Sequence, residues 1–356
     1  MIPKCYRTNT RLFPLAALLL AGAGSSCAWL RPAAPAPAEG APGGAAEAVP
    51  ALEIQAAAEE NPSPRRPALS EEAEIRAWCA DVGAQAKVMG WDLDPCSGDF
   101  GRHWRIGGRS VEGRPLVYAE FGRPEAENTT LFLAMVHGDE GTPLYVGLRL
   151  AQWLAVNESR FPATRVVVAP LVNPDGFFNR PRTRVNARGV DVNRNFMTKD
   201  WEDTALSSWK KQFRSNPRRF PGSVPGSEPE TLFQAQLIGS YSPQKIISVH
   251  APLNFMDYDG PTTLSLEQFP EEYVRKCLEL RSELNAVSGG YYPGSLGNYA
   301  GRERGIPTFT LELPTANPKL AGLYWNRFRT GIQTVIVFKV PQYADSKSGR
   351  VTAGYP

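Results

Sequence analysis

The sequence predicts an α/β domain with a central mixed, mostly buried β-sheet flanked by helices. Three observations carry this. Short apolar runs such as Thr130-Leu-Phe-Leu-Ala-Met-Val and Lys245-Ile-Ile-Ser-Val lack the in–out alternation of a half-solvated sheet, so they read as strands covered on both faces. Amphipathic stretches with helical spacing lie between such runs, as over Thr142 to Ala155. The composition is globular, with 42% hydrophobic and 21% charged residues.

The folded part begins near Ser70, where Ser70-Glu-Glu-Ala-Glu has the acidic first turn of a helix. Trp104 to Ala119 reads as a hairpin with Gly113 at its turn. Thr130 to Val136 and Arg165 to Val172 are strands on either side of the Thr142 helix. Ser227-Glu-Pro-Glu-Thr predicts a helix start, with Ser227 as N-cap, Glu230 as its capping-box partner and Pro229 in the first turn. Lys245 to Val249 and Thr308 to Leu311 are further strands, and Tyr324 to Val340 is a terminal helix or a helix plus strand. Cys277 lies in a helical pattern and is expected to be a buried free thiol.

Residues 1–27 carry Lys4, Arg7 and Arg11 and no acid, then an apolar run from Leu12 to Ala23 and the small residues Gly24, Ser25 and Ser26. That order predicts a secretory signal, and Cys27 makes a lipoprotein signal an alternative to simple cleavage. Residues 28–69 are rich in Ala, Pro and Glu and read as a disordered linker. The catalytic domain is expected over 70–342 and a tail over 343–356. The formal net charge of +3 is already supplied by the first 27 residues, so the remainder is near neutral and no nucleic-acid partner is expected. Membrane contact is expected only through a lipid on Cys27, with the domain exported to a periplasm or cell envelope. In that oxidising setting Cys79 and Cys96, 17 apart, are a candidate disulfide.

Three apolar strands run into titratable residues: His137-Gly-Asp-Glu140, His250 and Glu312. Open α/β sheets present ligand sites at the carboxyl ends of their strands. The chain holds three histidines, and two of them fall at these ends. His137 and Glu140, three apart on a turn, are spaced to meet on one cation, with Gly138 allowing the chain to fold tightly. With His250 they make a two-His, one-Glu set that leaves one position of a single Zn²⁺ open, as catalytic zinc requires. His103, beside Trp104, reads as structural.

Further motifs sharpen this site. Asp191-Val-Asn-Arg-Asn-Phe196, Ser227-Glu-Pro-Glu and Thr310-Leu-Glu312 follow His137-x-x-Glu140 in the order found in the zinc carboxypeptidases of the metallopeptidase M14 type, which the chain resembles over roughly 70–340. Ile106-Gly-Gly-Arg-Ser-Val-Glu-Gly-Arg-Pro-Leu116 is similar to that family's early hairpin. Thr183-Arg-Val-Asn-Ala-Arg-Gly-Val-Asp and Pro293-Gly-Ser-Leu-Gly-Asn-Tyr299 look most like bacterial murein-peptide amidases.

The resemblance implies roles. His137, Glu140 and His250 hold zinc, and Glu312 is the general base. Arg184 stabilises the oxyanion. Asn193 and Arg194 grip the substrate's terminal carboxylate, and Asp191 orients a ligand histidine or supports its loop. The family's mobile tyrosine falls near Tyr291 or Tyr292, or is replaced by Gly289-Gly290. Asp139 stands where digestive members carry arginine, and Leu296 and Gly297 lie where side-chain specificity is often set. The implied activity is hydrolysis of a peptide bond next to a free carboxylate, in a peptide or muropeptide. The alternatives are a zinc deacylase or amidase of small N-acyl amino acids and an inactive peptide-binding module.

Overall fold

The computed structural model describes residues 69–260 and 292–340. The predicted signal, linker and tail, Cys277 and Tyr291 lie outside these residues.

Helix α1 (Glu71–Val88) starts where predicted, with the Ala73 amide donating to Ser70 Oγ at 3.3 Å. Strands β1 (Trp104–Arg109) and β2 (Pro115–Phe121) form the predicted hairpin, and Gly113 takes the turn at φ +80°. Then come β3 (Asn128–Ala134), α2 (Gly141–Asn157), β4 (Thr164–Ala169), the short α3 (Pro174–Phe178), α4 (Trp201–Lys211) and α5 (Pro229–Tyr241). After α5 come β5 (Lys245–His250), β6 (Met256–Asp259), β7 (Thr308–Glu312) and α6 (Ala321–Val337). The last described element is thus a helix, followed by extended backbone at Phe338. No helix among the described residues is long and apolar enough to cross a membrane.

The strands form one mixed sheet in the order β1-β2-β4-β3-β5-β7-β6. The four inner strands β4, β3, β5 and β7 are parallel; β2 and β6 run against them at the flanks, and β1, antiparallel to β2, again runs in the inner strands' direction. Side chains alternate across the inner strands. Phe132, Ala134 and Ile247 face the core made with α1, α2 and α6, whereas Leu131, Leu133 and Ile246 face the one made with α5. Helices cover both faces, which is why these strands read as continuous apolar runs. The Cys79–Cys96 disulfide joins α1 to the chain ahead of β1.

One start signal moved. Helix α5 begins at Pro229 with Glu228 in the cap position, not Ser227. Ser227 Oγ instead donates to Glu228 Oε1 at 2.7 Å and accepts from Asn195 Nδ2 at 3.2 Å. The Glu230 carboxylate turns inward to Asn186 Nδ2 and the Val111 amide. Tertiary hydrogen bonds have displaced the local capping box.

Lys245 opens β5 at the end of the sheet away from His250 and is fully buried. Its Nζ donates to Asn128 Oδ1 (2.6 Å) and Phe338 O (2.7 Å), tying the residue after α6 to the sheet. No carboxylate pairs with it among the described residues, and burial pushes its pKa down to about 7. An unfolded lysine titrates near ~10.4, so between the two values the unfolded chain binds more protons and stability rises with pH, by at most about 1.4 kcal/mol per unit. Urea titrations from pH 7 to 9 are expected to show this rise, and Lys245→Met should remove it. An equal slope in the variant would exclude Lys245 as its source.

Candidate active site

The metal loop leaves β3 by a strained path. Met135, buried and not glycine, sits at φ +52°, and its carbonyl accepts the Asn173 amide at 2.9 Å. Gly138 then packs on α3 so closely that a Cβ there would lie 2.2 Å from the Gly176 carbonyl carbon, so only glycine fits. This turn presents His137 and Glu140 just ahead of α2. His250 ends β5, and the parallel register sets Glu312, the last residue of β7, directly beside it.

His137, Glu140 and His250 are all buried and converge. His137 Nδ1 lies 2.7 Å from Glu140 Oε1, and His250 Nδ1 lies 3.1 Å from both Glu140 Oε2 and His137 Nδ1. Each ring is held through its other nitrogen. His137 Nε2 is 3.2 Å from Asp191 Oδ1, and His250 Nε2 is 3.0 Å from Ser248 Oγ. With the Nε2 protons given to these oxygens, both Nδ1 lone pairs and a carboxylate face one another, an arrangement that repels itself unless a cation is shared. Zinc bonds of about 2.0–2.1 Å at tetrahedral angles put neighbouring ligand atoms roughly 3.3 Å apart, so the donor set fits that ion. Burial opposes ionisation of Glu140, but the two histidines outweigh it and hold the carboxyl low.

Arg184 lies against the same cluster. Its Nε donates to Asp191 Oδ2 at 2.9 Å, and its Nη1 reaches His137 Nδ1 (3.1 Å) and Glu140 Oε1 (3.4 Å). Asp191 thus touches both a ligand histidine and Arg184. Its burial favours the neutral acid, yet Arg184 and His137 hold it well below the usual carboxylate range. The loop around Arg184 is fixed by Asn173 Nδ2, which donates to the Arg184 carbonyl, and by Asn186, which donates to Glu228 and Glu230.

Arg194 is also buried, and its Nε has no hydrogen-bond partner. Its Nη1 donates to the Asn193 carbonyl, its guanidinium lies 4.5 Å from the Tyr292 ring centre, and burial lowers its pKa to about 10. No acid pairs with it among the described residues, so the site holds a guanidinium in want of an anion. Gly294 passes so near that a Cβ would sit 2.1 Å from the Arg194 carbonyl oxygen. Asn193 Oδ1 accepts the Leu296 amide at 2.8 Å. Burial raises the Glu312 pKa, and the Leu253 amide is near its carboxylate at 3.4 Å.

The structure therefore brings together His137, Glu140, His250, Glu312, Arg184, Asn193, Arg194 and Tyr292. His103 stays apart, with Nδ1 3.0 Å from the Glu120 carbonyl and its ring on Phe121. Ser248 was missed from sequence, although two residues before His250 on a strand is the same face. Arg218 and Arg219 were missed as well. Arg218 Nη1 pairs with Asp139 Oδ2 at 2.7 Å, giving Asp139 a cationic partner from a distant loop.

Two outcomes test this geometry by metal analysis. His250→Ala is expected to abolish stoichiometric zinc, and Asp191→Asn to weaken zinc affinity by about 10- to 100-fold. Full zinc retention by His250→Ala would show that the triad is not the site.

Comparison with known proteins agrees with this arrangement. The zinc carboxypeptidase (peptidase M14) family profile matches residues 102–317. Murein peptide amidase A of Escherichia coli K12 is 33% identical over 211 residues, covering 58% of this chain and 79% of the relative. The protein of the same name from Vibrio campbellii is 31% identical over 217 residues, covering 60% and 80%. The crystal structure of carboxypeptidase A from Helicoverpa armigera shares the fold at a TM-score of 0.50 and 18% identity, over 78% of this chain and 77% of that one. With its sheet, its donor triad and a family match across most of the described residues, the chain belongs to the zinc carboxypeptidases of the M14 family.

Proposed function

We propose that this metallopeptidase removes a C-terminal residue from cell-wall peptides, hydrolysing the amide bond next to a free carboxylate. The observation that carries the carboxylate requirement is Arg194: a buried guanidinium without an acid partner among the described residues, in the same site as the donor triad and Glu312. Leaving such a charge unmatched is unfavourable, and a substrate carboxylate matches it with bidentate geometry. Asn193, next in the chain, adds a polar contact and fixes the register of cleavage. Support for the cell-wall substrate comes from the two murein peptide amidases that are similar to this chain.

Zinc held by His137, Glu140 and His250 supplies Lewis acidity toward a carbonyl and a water. The protein's own groups do the rest. Glu312, buried beside His250 at the end of β7, takes the proton of the attacking water and returns it to the leaving amine. Arg184, its Nε on Asp191 and its Nη1 against His137 and Glu140, is the cation beside the triad and would stabilise the negative charge that develops on the scissile carbonyl. Tyr292, on the face of Arg194, lines the carboxylate pocket. Export and a lipid on Cys27 are part of the same proposal, since they bring the enzyme to its substrate.

Mass spectrometry of muropeptide digests tests the reaction, and release of the C-terminal residue is the expected outcome. Turnover of N-acyl amino acids with no release from any peptide would favour the deacylase alternative. Glu312→Gln should keep its zinc and lose about 100- to 10,000-fold in kcat. Arg194→Gln should act mainly on KM, raising it by about 10-fold or more, because the lost interaction is charge-assisted. An unchanged KM in that variant would remove Arg194 from the carboxylate grip.

A further inference from the structure

A second guanidinium stands beside the carboxylate pocket. Arg219 ends the turn Pro217–Arg219, which is stitched to the site on two sides. Its neighbour Arg218 pairs with Asp139 in the metal loop, and the carbonyl of Phe220 accepts the Asp191 amide at 2.8 Å. A ladder of rings connects Arg219 to Arg194. Its guanidinium lies 4.9 Å from the Phe213 ring, that ring lies 5.9 Å from Tyr292, and Tyr292 lies 4.5 Å from the Arg194 guanidinium. Arg219 is half-buried; its backbone amide donates to the Asn216 carbonyl at 2.9 Å, and its guanidinium makes neither a hydrogen bond nor an ion pair among the described residues.

The charges around the pocket do not balance. Asp191 is taken by Arg184, and Glu140 belongs to the donor triad. Arg194 and Arg219 remain; burial lowers the pKa of both, and the Arg219 charge adds to the lowering at Arg194. One terminal carboxylate satisfies Arg194 and leaves Arg219 partly desolvated and unmatched. We propose that Arg219 is a specificity-determining residue that takes a second substrate carboxylate, besides the terminal one held by Arg194. This rests on the peptidase reading above. The second carboxylate belongs either to the side of the released residue or to the residue before the cleaved bond, and the chemistry at Arg219 is the same.

Peptide pairs differing only in Glu against Gln, at the released position or at the one before it, separate the two sources when hydrolysed by the zinc-loaded full chain. The expected result is a preference of about tenfold or more in kcat/KM for Glu at one of these positions, since a hydrogen bond to a charged partner is involved. In Arg219→Gln that ratio should fall to about one, and Arg219→Lys should restore part of it. Equal use of Glu and Gln peptides by the unaltered enzyme, or an unchanged ratio in Arg219→Gln, overturns the proposal. A parallel calorimetric titration with free glutamate and glutamine needs no turnover. If no peptide is hydrolysed but glutamate binds more tightly and Arg219→Gln removes the difference, the peptidase reading fails and the Arg219 subsite stands. Equal binding of both amino acids, with no Glu preference in hydrolysis, overturns the subsite alone.

Discussion

Three electron-pair donors forced together in a buried space are the constraint on which this structure turns. His137, Glu140 and His250 approach within about 3 Å of one another, and none is free to turn away. The fold holds them there by backbone means. The parallel pairing of β5 and β7 fixes His250 beside Glu312, and the crowded turn at Gly138 aims His137 and Glu140 at the same point. The mutual repulsion this creates is relieved when the three donors share a cation.

Around that centre, charge is arranged in layers. Asp191 lies beneath His137 and Arg184 and ionises despite its burial because both are cationic or hydrogen-bonding partners. It ties the position of His137 to that of the Arg184 guanidinium, so a change at this one carboxylate disturbs both. Farther out, Arg194 and Arg219 have no acid partner among the described residues. A protein that buries a cation without a partner loses stability for it, and such a group is retained where a ligand completes it. In the proposed reaction, the step from paired charges at the centre to unpaired ones farther out orients an anionic substrate.

The supporting shell is built mainly from amides. Asn173, Asn186 and Asn195 each bridge loops that are distant in sequence, and Asn186 alone donates to two buried glutamates at the start of α5. Such residues place Arg184 without entering the chemistry. They also explain the moved helix start, because Glu228 and Glu230 serve these bridges rather than the cap of their own helix.

Much of this was legible in the sequence. The apolar runs located the inner strands, because a sheet covered on both faces must be apolar at every position. The positions of His137, Glu140, His250 and Glu312 at strand ends revealed the site, because parallel strands deliver their carboxyl ends to one edge. The ordered motifs singled out Arg184, Asn193 and Arg194. What the sequence left open was settled by contacts across long separations. The Asp139–Arg218 pair spans loops nearly eighty residues apart, Arg219 reaches the pocket only through a ladder of rings, and Cys79 meets Cys96 only once α1 is docked. Local periodicity and spacing determined which residues could do chemistry. Only the tertiary structure decided which of the many arginines meet an acid and which have none among the described residues, because charge pairing depends on proximity in space rather than order along the chain.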